Sequence, residues 1–211
     1  MTDKFTNLEP EKRERIVNAA LNEFALRGYE KASTNEIVKE AEISKGLLFH
    51  YFKSKKQLFL YLYDFGIQMF QHEFIKRIDF EERRFFTKMR QISKVKLDLH
   101  RKYPQLFKFI LEAYLETNKE IKDELESRNS MVLMINMNRL FQNIDTSKFR
   151  EGIELKEILN IISWTIEGMV NEEIKKCKVL KKELDYDQLF EHADQYLNTF
   201  EKLIYKGGHM E

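Results

Sequence analysis

The chain has 211 residues with 36 Lys or Arg against 35 Asp or Glu, so its net charge of +1 announces no polyanionic partner by itself. Charged residues at 34% and aromatics at 13% describe a folded chain and exclude a disordered one. A lone Cys177 excludes an intramolecular disulfide, no run of about 18 apolar residues offers a membrane span, and only two prolines leave room for long helices.

In chain order, residues 1–9 read as polar and mobile, without the apolar core of a signal peptide. With the single thiol, this sets the expectation of a cytoplasmic protein. Pro10 suits the first turn of a helix, where its missing amide hydrogen costs nothing. Ile16, Ala19, Ala20 and Phe24 repeat at helical spacing, while Lys12, Arg13 and Arg15 fall on the outer side. Gly28 closes that helix, and Tyr29 is expected to pack beneath the two short helices that come next.

Residues 34–55 read as two short helices around a tight turn. Thr34 is placed as the cap of the first, whose apolar side is Ile37, Val38 and Ala41. Ile43 plugs the turn and Ser44 caps the second helix. Leu48 and Phe52, four apart, face inward, which leaves Lys45, Gly46, Leu47, Phe49, His50 and Tyr51 on the outer faces. A short helix with exposed basic, aromatic and small residues, braced by a preceding helix, suits a DNA major groove. Residues 39–56 carry five lysines against two glutamates, so positive charge gathers at this motif although the whole domain is nearly neutral.

After Lys55 a long helix is expected to about Ile78, with Leu58, Phe59, Leu62, Phe65, Met69 and Phe70 on its buried side and Gly66 at a bend or a close crossing. Further helices are expected at about 81–101, 104–117, 119–143, 153–178 and 186–205, with Tyr103-Pro104 a boundary because a residue before proline avoids helical geometry. The fold class is therefore all-α: an N-terminal three-helix helix-turn-helix domain over 1–54, then a helical domain over 55–211.

The second domain offers a candidate cavity lining of Met89, Phe107, Ile110, Tyr114, Met131, Met134, Asn138, Trp164 and Met169: apolar walls, adaptable methionines and a few oriented polar groups. Leu189, Ala193, Tyr196, Phe200 and Leu203 recur every three or four residues, like the seam of a helical bundle. In the preceding helix Leu155, Ile162 and Ile166 belong to an apolar set too wide for one face, as if two partners covered it.

Residues 10–60 resemble the DNA-binding domain of the tetracycline-repressor (TetR) family of bacterial transcription regulators. The resemblance rests on Ile16-Val-Asn-Ala-Ala-Leu-Asn-Glu-Phe24, Gly28-Tyr29, Ser33-Thr34, Ile43-Ser44-Lys45-Gly46 and Leu48-Phe-His-Tyr-Phe-Lys-Ser-Lys55 running into Leu58-Phe59. It implies that Thr34 and Asn35 approach a phosphate strand and that Ser44, Lys45, Gly46 and Leu47 begin the groove-facing helix. It further implies that Phe49, His50 and Tyr51 reach backbone or base edges, and that Lys53 and Lys55 hold phosphate. It implies a homodimer joined through the last two helices, a palindromic double-stranded DNA operator, and a small apolar or amphipathic effector that releases a repressor. Three residues depart from the family's pattern: Phe49 stands for a common tyrosine, Leu47 for threonine or serine, and Glu42 for the glycine of the turn.

Chemistry of other kinds finds no support. Glu-x-x-His, His-Glu-x-x-His, Cys-x-x-Cys, a phosphate-binding glycine loop and Gly-x-Ser-x-Gly are all absent, so neither an enzyme nor a cofactor or metal is expected. The alternative function is a helical ligand-binding or protein-interaction module with little DNA binding, which the salt dependence of duplex affinity would distinguish.

Overall fold

A computed structural model describes the backbone of residues 3–207 and the side chains of 4–128, 139–177 and 179–207. Ten helices follow in order among these residues: α1 (Asp3–Thr6), α2 (Pro10–Lys31), α3 (Thr34–Glu40), α4 (Lys45–Phe52), α5 (Lys55–Ile75), α6 (Phe85–Lys102), α7 (Pro104–Tyr114), α8 (Lys122–Phe141), α9 (Leu155–Leu180) and α10 (Tyr186–Ile204). One isolated antiparallel bridge joins Phe149 to Tyr205. The chain divides into two compact units, Met1–Lys76 with Leu99–Asn136, and Arg77–Asp98 with Met137–Glu211.

The first unit is built on aromatic packing between α2, α5 and α7. Phe59 lies at its centre, with ring centroids 4.9 Å from Phe24, 5.3 Å from Tyr29 and 5.0 Å from Phe109. Helices α5 and α7 cross closely at Gly66, where a β-carbon would meet Leu106 Cδ1 at 2.8 Å and Ile110 Cδ1 at 2.9 Å. Of the two readings open for Gly66, the close crossing is therefore the one realised. Helix α2 changes direction at Gly28, whose φ of 68° and ψ of 178° belong to a region that essentially only glycine occupies.

Three expectations from the sequence are corrected here. The stretch expected to be mobile contains a short helix, Asp3–Thr6, and Phe5 is only 1% exposed. The hydrophobic return from one large ring outweighs the polarity of its neighbours. Thr34 is the first helical residue of α3 and not its cap; the cap is Ser33, whose own N–H donates to the buried Glu23 carboxylate at 2.8 Å. The long helix stops at Ile75, short of Ile78, and α6 starts at Phe85, because the intervening residues form turns in which Glu81 N–H bonds Asp79 Oδ1 and Arg84 N–H bonds Glu82 Oε1. The expected cores of the remaining helices are present, with ends displaced by a few residues.

The second unit centres on Phe85, whose ring lies 4.9 Å from Phe86, 5.9 Å from Phe141 and 5.8 Å from Phe149. Ile162 of α9 and Leu189, Ala193, Leu197 and Ile204 of α10 are buried in it. Lys88 is fully buried, donates to the Asp79 carbonyl, and has its pKa lowered by desolvation.

Candidate nucleic-acid interface

Helices α3 and α4 are joined by a turn whose hydrogen bonds have the Schellman pattern. The Ile43 N–H donates to Val38 O at 3.0 Å and the Glu42 N–H to Lys39 O at 3.3 Å. This geometry needs a left-handed residue just past the helix, and Glu42 takes it with φ 54°. The turn thus forms at a cost that a glycine would not carry. Replacing Glu42 by glycine should stabilise the chain by about 0.5–1 kcal/mol in urea titration, the relief of left-handed strain exceeding the entropy gained by the unfolded chain. The same change removes a negative charge beside α4 and should tighten any duplex complex. A loss of stability would show that Glu42 makes a compensating contact.

Ser44 caps α4 as expected, its Oγ accepting the Leu47 N–H at 3.2 Å. Leu48 and Phe52 are buried and hold the helix to the domain. Lys45, Gly46 and His50 are exposed, with Ser44 and Asn35 on the same motif, while Thr34, Leu47, Phe49 and Tyr51 are half-buried. The outer surface of α4 is therefore narrower than the spacing implied. Tyr51 is not a free phenol ring on the surface: its centroid lies 5.6 Å from Phe5.

The five lysines of the basic run divide in two. Lys39, Lys45 and Lys53 are exposed. Lys55 donates to the carbonyls of Glu30 at 3.1 Å and Ala32 at 3.3 Å, and lies 4.8 Å from the centre of the Tyr29 ring. It satisfies carbonyls at the end of α2 that lack helical partners. Lys56 is paired with Glu124 of α8 at 2.6 Å. Charge counted along the sequence thus overstates what can face an external phosphate.

The motif is fastened from behind by groups that spacing does not expose. The Glu23 carboxylate bonds both the Ser33 N–H and Arg27 Nε, the latter at 3.1 Å. A buried carboxylate needs such partners, and without it the Ser33 amide would be left unsatisfied. Tyr29 is buried, and its N–H donates to Glu116 Oε2 at 3.4 Å. Burial holds its phenol well above the ordinary range, and the hydrogen bond to Glu120 adds to the shift. The start of α8 also reaches α5 through Arg128 Nε, 2.9 Å from Asp64 Oδ1.

Of the candidate cavity residues, Phe107, Ile110 and Tyr114 are on α7 in the first unit, and Met89, Trp164 and Met169 belong to the second. Met131, Met134 and Asn138 lie outside the described side chains. A cleft of about 920 Å³ in the first unit is lined by other residues, among them Arg13, Val17, Tyr61, Phe65 and Met69. In the candidate dimer seam, Ile162, Leu189 and Ala193 are buried within the chain itself, whereas Leu155, Ile166 and Phe200 are half-buried and Tyr196 and Leu203 are exposed. Trp164, placed in the cavity set, is 67% exposed, and Ile161 of the same helix is also exposed.

Among the described residues, no group of three or more His, Cys, Asp or Glu could hold a metal ion, and no helix is long and apolar enough to cross a membrane.

Comparison with known proteins agrees with this arrangement. Residues 16–62 match the family of bacterial regulatory proteins, tetR family. A 58-residue stretch is 47% identical to YuxN of Bacillus subtilis, an uncharacterized HTH-type transcriptional regulator, covering 26% of this chain and 20% of that protein. A 64-residue stretch is 36% identical to the HTH-type transcriptional regulator QacR of Staphylococcus aureus, covering 30% of this chain and 34% of that one. The chain therefore matches only about a fifth to a third of the length of these relatives. Likeness in fold extends further. A TetR family regulator from Chloroflexus aurantiacus superimposes with a TM-score of 0.64 at 19% identity over 97% of this chain and 98% of that one. SmeT, the repressor of the Stenotrophomonas maltophilia multidrug efflux pump SmeDEF, does so with 0.68 at 17% identity over 98% and 95%. Residues 16–62 are thus similar to the helix-turn-helix domain of the tetR family, and they are set in an all-helical fold shared with solved structures of regulators of that family.

Proposed function

We propose that this protein is a sequence-specific DNA-binding transcriptional regulator, a repressor in its DNA-bound form, rather than an enzyme. The observation that carries this is α4: its back is anchored by Leu48 and Phe52, and its leading edge presents Lys45, Gly46 and His50 to solvent. Lys45 at the first helical position can donate to guanine acceptors or to phosphate, and Gly46 lets the backbone come close to the bases. Lys39 and Lys53 supply further charge for the DNA backbone.

The reading includes a homodimer. Ile161 and Trp164 on α9, with Tyr196 and Leu203 on α10, leave apolar surface exposed that a second copy would cover. Two recognition helices would then read a palindrome with half-sites one helical turn, about 34–36 Å, or a multiple apart. It also includes a small-molecule effector in the helical domain, with Phe107, Ile110 and Tyr114 of α7 as candidate lining residues. An effector that switches the protein almost completely must bind one conformer more tightly by about 5.5 kcal/mol. The cytoplasm is the compartment in which such a protein meets its operator.

The test is selection from a random duplex pool, followed by titration of the enriched site at two salt concentrations. An inverted repeat should emerge. Lys45→Ala should weaken the selected site by about 1–3 kcal/mol if it reads guanine, and lower the salt slope by about 1 if it holds phosphate. A folded dimer that enriches no duplex at low salt would favour the module without DNA binding. The engagement of Lys55 and Lys56 within the chain is the observation on that side.

A further inference from the structure

A helix of eight residues is too short to be stable by itself, so the orientation of α4 is set by what packs against it. Its N-terminal half is held by the Ser44 cap and by the turn from α3. Its C-terminal half meets a residue from the opposite end of the domain's sequence. The Phe5 ring lies 5.6 Å from Tyr51, 4.7 Å from Phe52 and 5.3 Å from Tyr61 of α5. Phe5 is itself secured, since Arg13 Nη1 of α2 donates to Thr6 O at 3.0 Å and the Leu8 N–H donates to Phe5 O at 3.2 Å.

We propose that Phe5, carried by the N-terminal helix α1 and latched by Arg13, is a positioning residue of the recognition helix: it fixes the C-terminal half of α4, and with it the placement of His50 and Tyr51. The proposal rests on the DNA-binding reading for its consequence, discrimination between sequences, but not for its mechanical content. The physical reason is close packing. Removing the ring opens a void beneath Tyr51 and Phe52, and the short helix can rock into it about its capped N-terminus. The tip at Lys45 would still find DNA, whereas contacts made further along the helix would lose their register.

The test uses the full chain as wild type, Phe5→Ala and Phe5→Leu, the last restoring most of the apolar volume. Two readouts separate positioning from general stability. In amide hydrogen exchange, Phe5→Ala should speed the amides of residues 48–52 about tenfold while those of α3 stay within about twofold. In titrations corrected for active fraction, Phe5→Ala should reduce discrimination between the selected duplex and the same duplex with one altered half-site by about tenfold, and Phe5→Leu should recover it to within about threefold. Equal acceleration of α3 and α4, or a lowered melting temperature with exchange in 48–52 and discrimination unchanged, would overturn the proposal. If wild type selects no duplex, the regulator reading falls, and the exchange pattern by itself decides whether Phe5 positions α4.

Discussion

Replacing Gly46 by leucine should abolish selective duplex binding, by about 100-fold or more, without destabilising the free protein. Gly46 is exposed on the first turn of α4, and a β-carbon built there meets nothing within 4 Å. Within the chain, therefore, no contact requires a residue without a side chain. Glycine is a poor helix former, by about 0.8–1 kcal/mol against alanine, so Gly46→Ala should leave urea stability unchanged or raise it by up to roughly that amount. The benefit of glycine must lie with whatever approaches that surface. A leucine would stand the helix off from the base edges, and each good bidentate contact it lost would remove about 1–3 kcal/mol. The ordering expected in affinity is wild type first, alanine next and leucine last, whereas in stability wild type is expected to come last. A leucine variant that binds the selected site as tightly as wild type would place the DNA-reading surface elsewhere.

Replacing Phe59 by alanine should cost about 3–5 kcal/mol, a large share of the total stability of an ordinary domain. The ring is 2% exposed and meets Phe24, Tyr29 and Phe109 at edge-to-face geometries, with interplanar angles of 87°, 80° and 62°. Each such pair contributes beyond its buried area, and the void cannot close easily because its walls are rings held on two different helices, α2 and α7. Phe65 is the control: it lies on the same helix, is 38% exposed and has one stacked neighbour, Tyr61, at 6.5 Å. Phe65→Ala should cost less than about 1 kcal/mol. Urea titration followed by helical ellipticity measures both. A Phe59→Ala cost similar to that of Phe65→Ala would mean that the first unit is organised around some other contact. Because α2, α5 and α7 carry α3 and α4 between them, loss of Phe59 should also lower the fraction of protein able to bind DNA.

The motif itself was legible because its determinants are local. Ser44 precedes the helix it caps, Leu48 and Phe52 are one turn apart, and the left-handed conformation at Glu42 follows from a turn too tight for anything else. What spacing missed lies in the connections. Phe5 was hidden in a polar leader, since one apolar residue among polar ones produces no periodicity, and its partners are residues 51, 52 and 61. Lys55 and Lys56 counted as charge, but both face the chain's own carbonyls or a carboxylate far along the sequence. Glu23 lay in a recognisable stretch of sequence, yet nothing in that stretch says that its carboxylate would bond the amide of Ser33. The seam of the last helices shows the same limit. Leu189 and Ala193 do form a regular apolar row, but this chain buries them itself, while Trp164 and Tyr196 remain exposed.

By itself the sequence determined the helical class, the two short helices and their tight turn, which face of α4 points inward, and the resemblance of this motif to a family of regulators. These depend on periodicity, on caps and on backbone preferences, all of which act over about four residues. Only the tertiary structure decided that Gly66 serves a close crossing, that the leader is part of the first unit, which lysines are free, and which apolar residues a second copy could still cover. A repeating pattern states that a set of side chains shares a face. What occupies that face is settled by contacts between residues distant in sequence, through shape and through the need of every buried polar group for a partner.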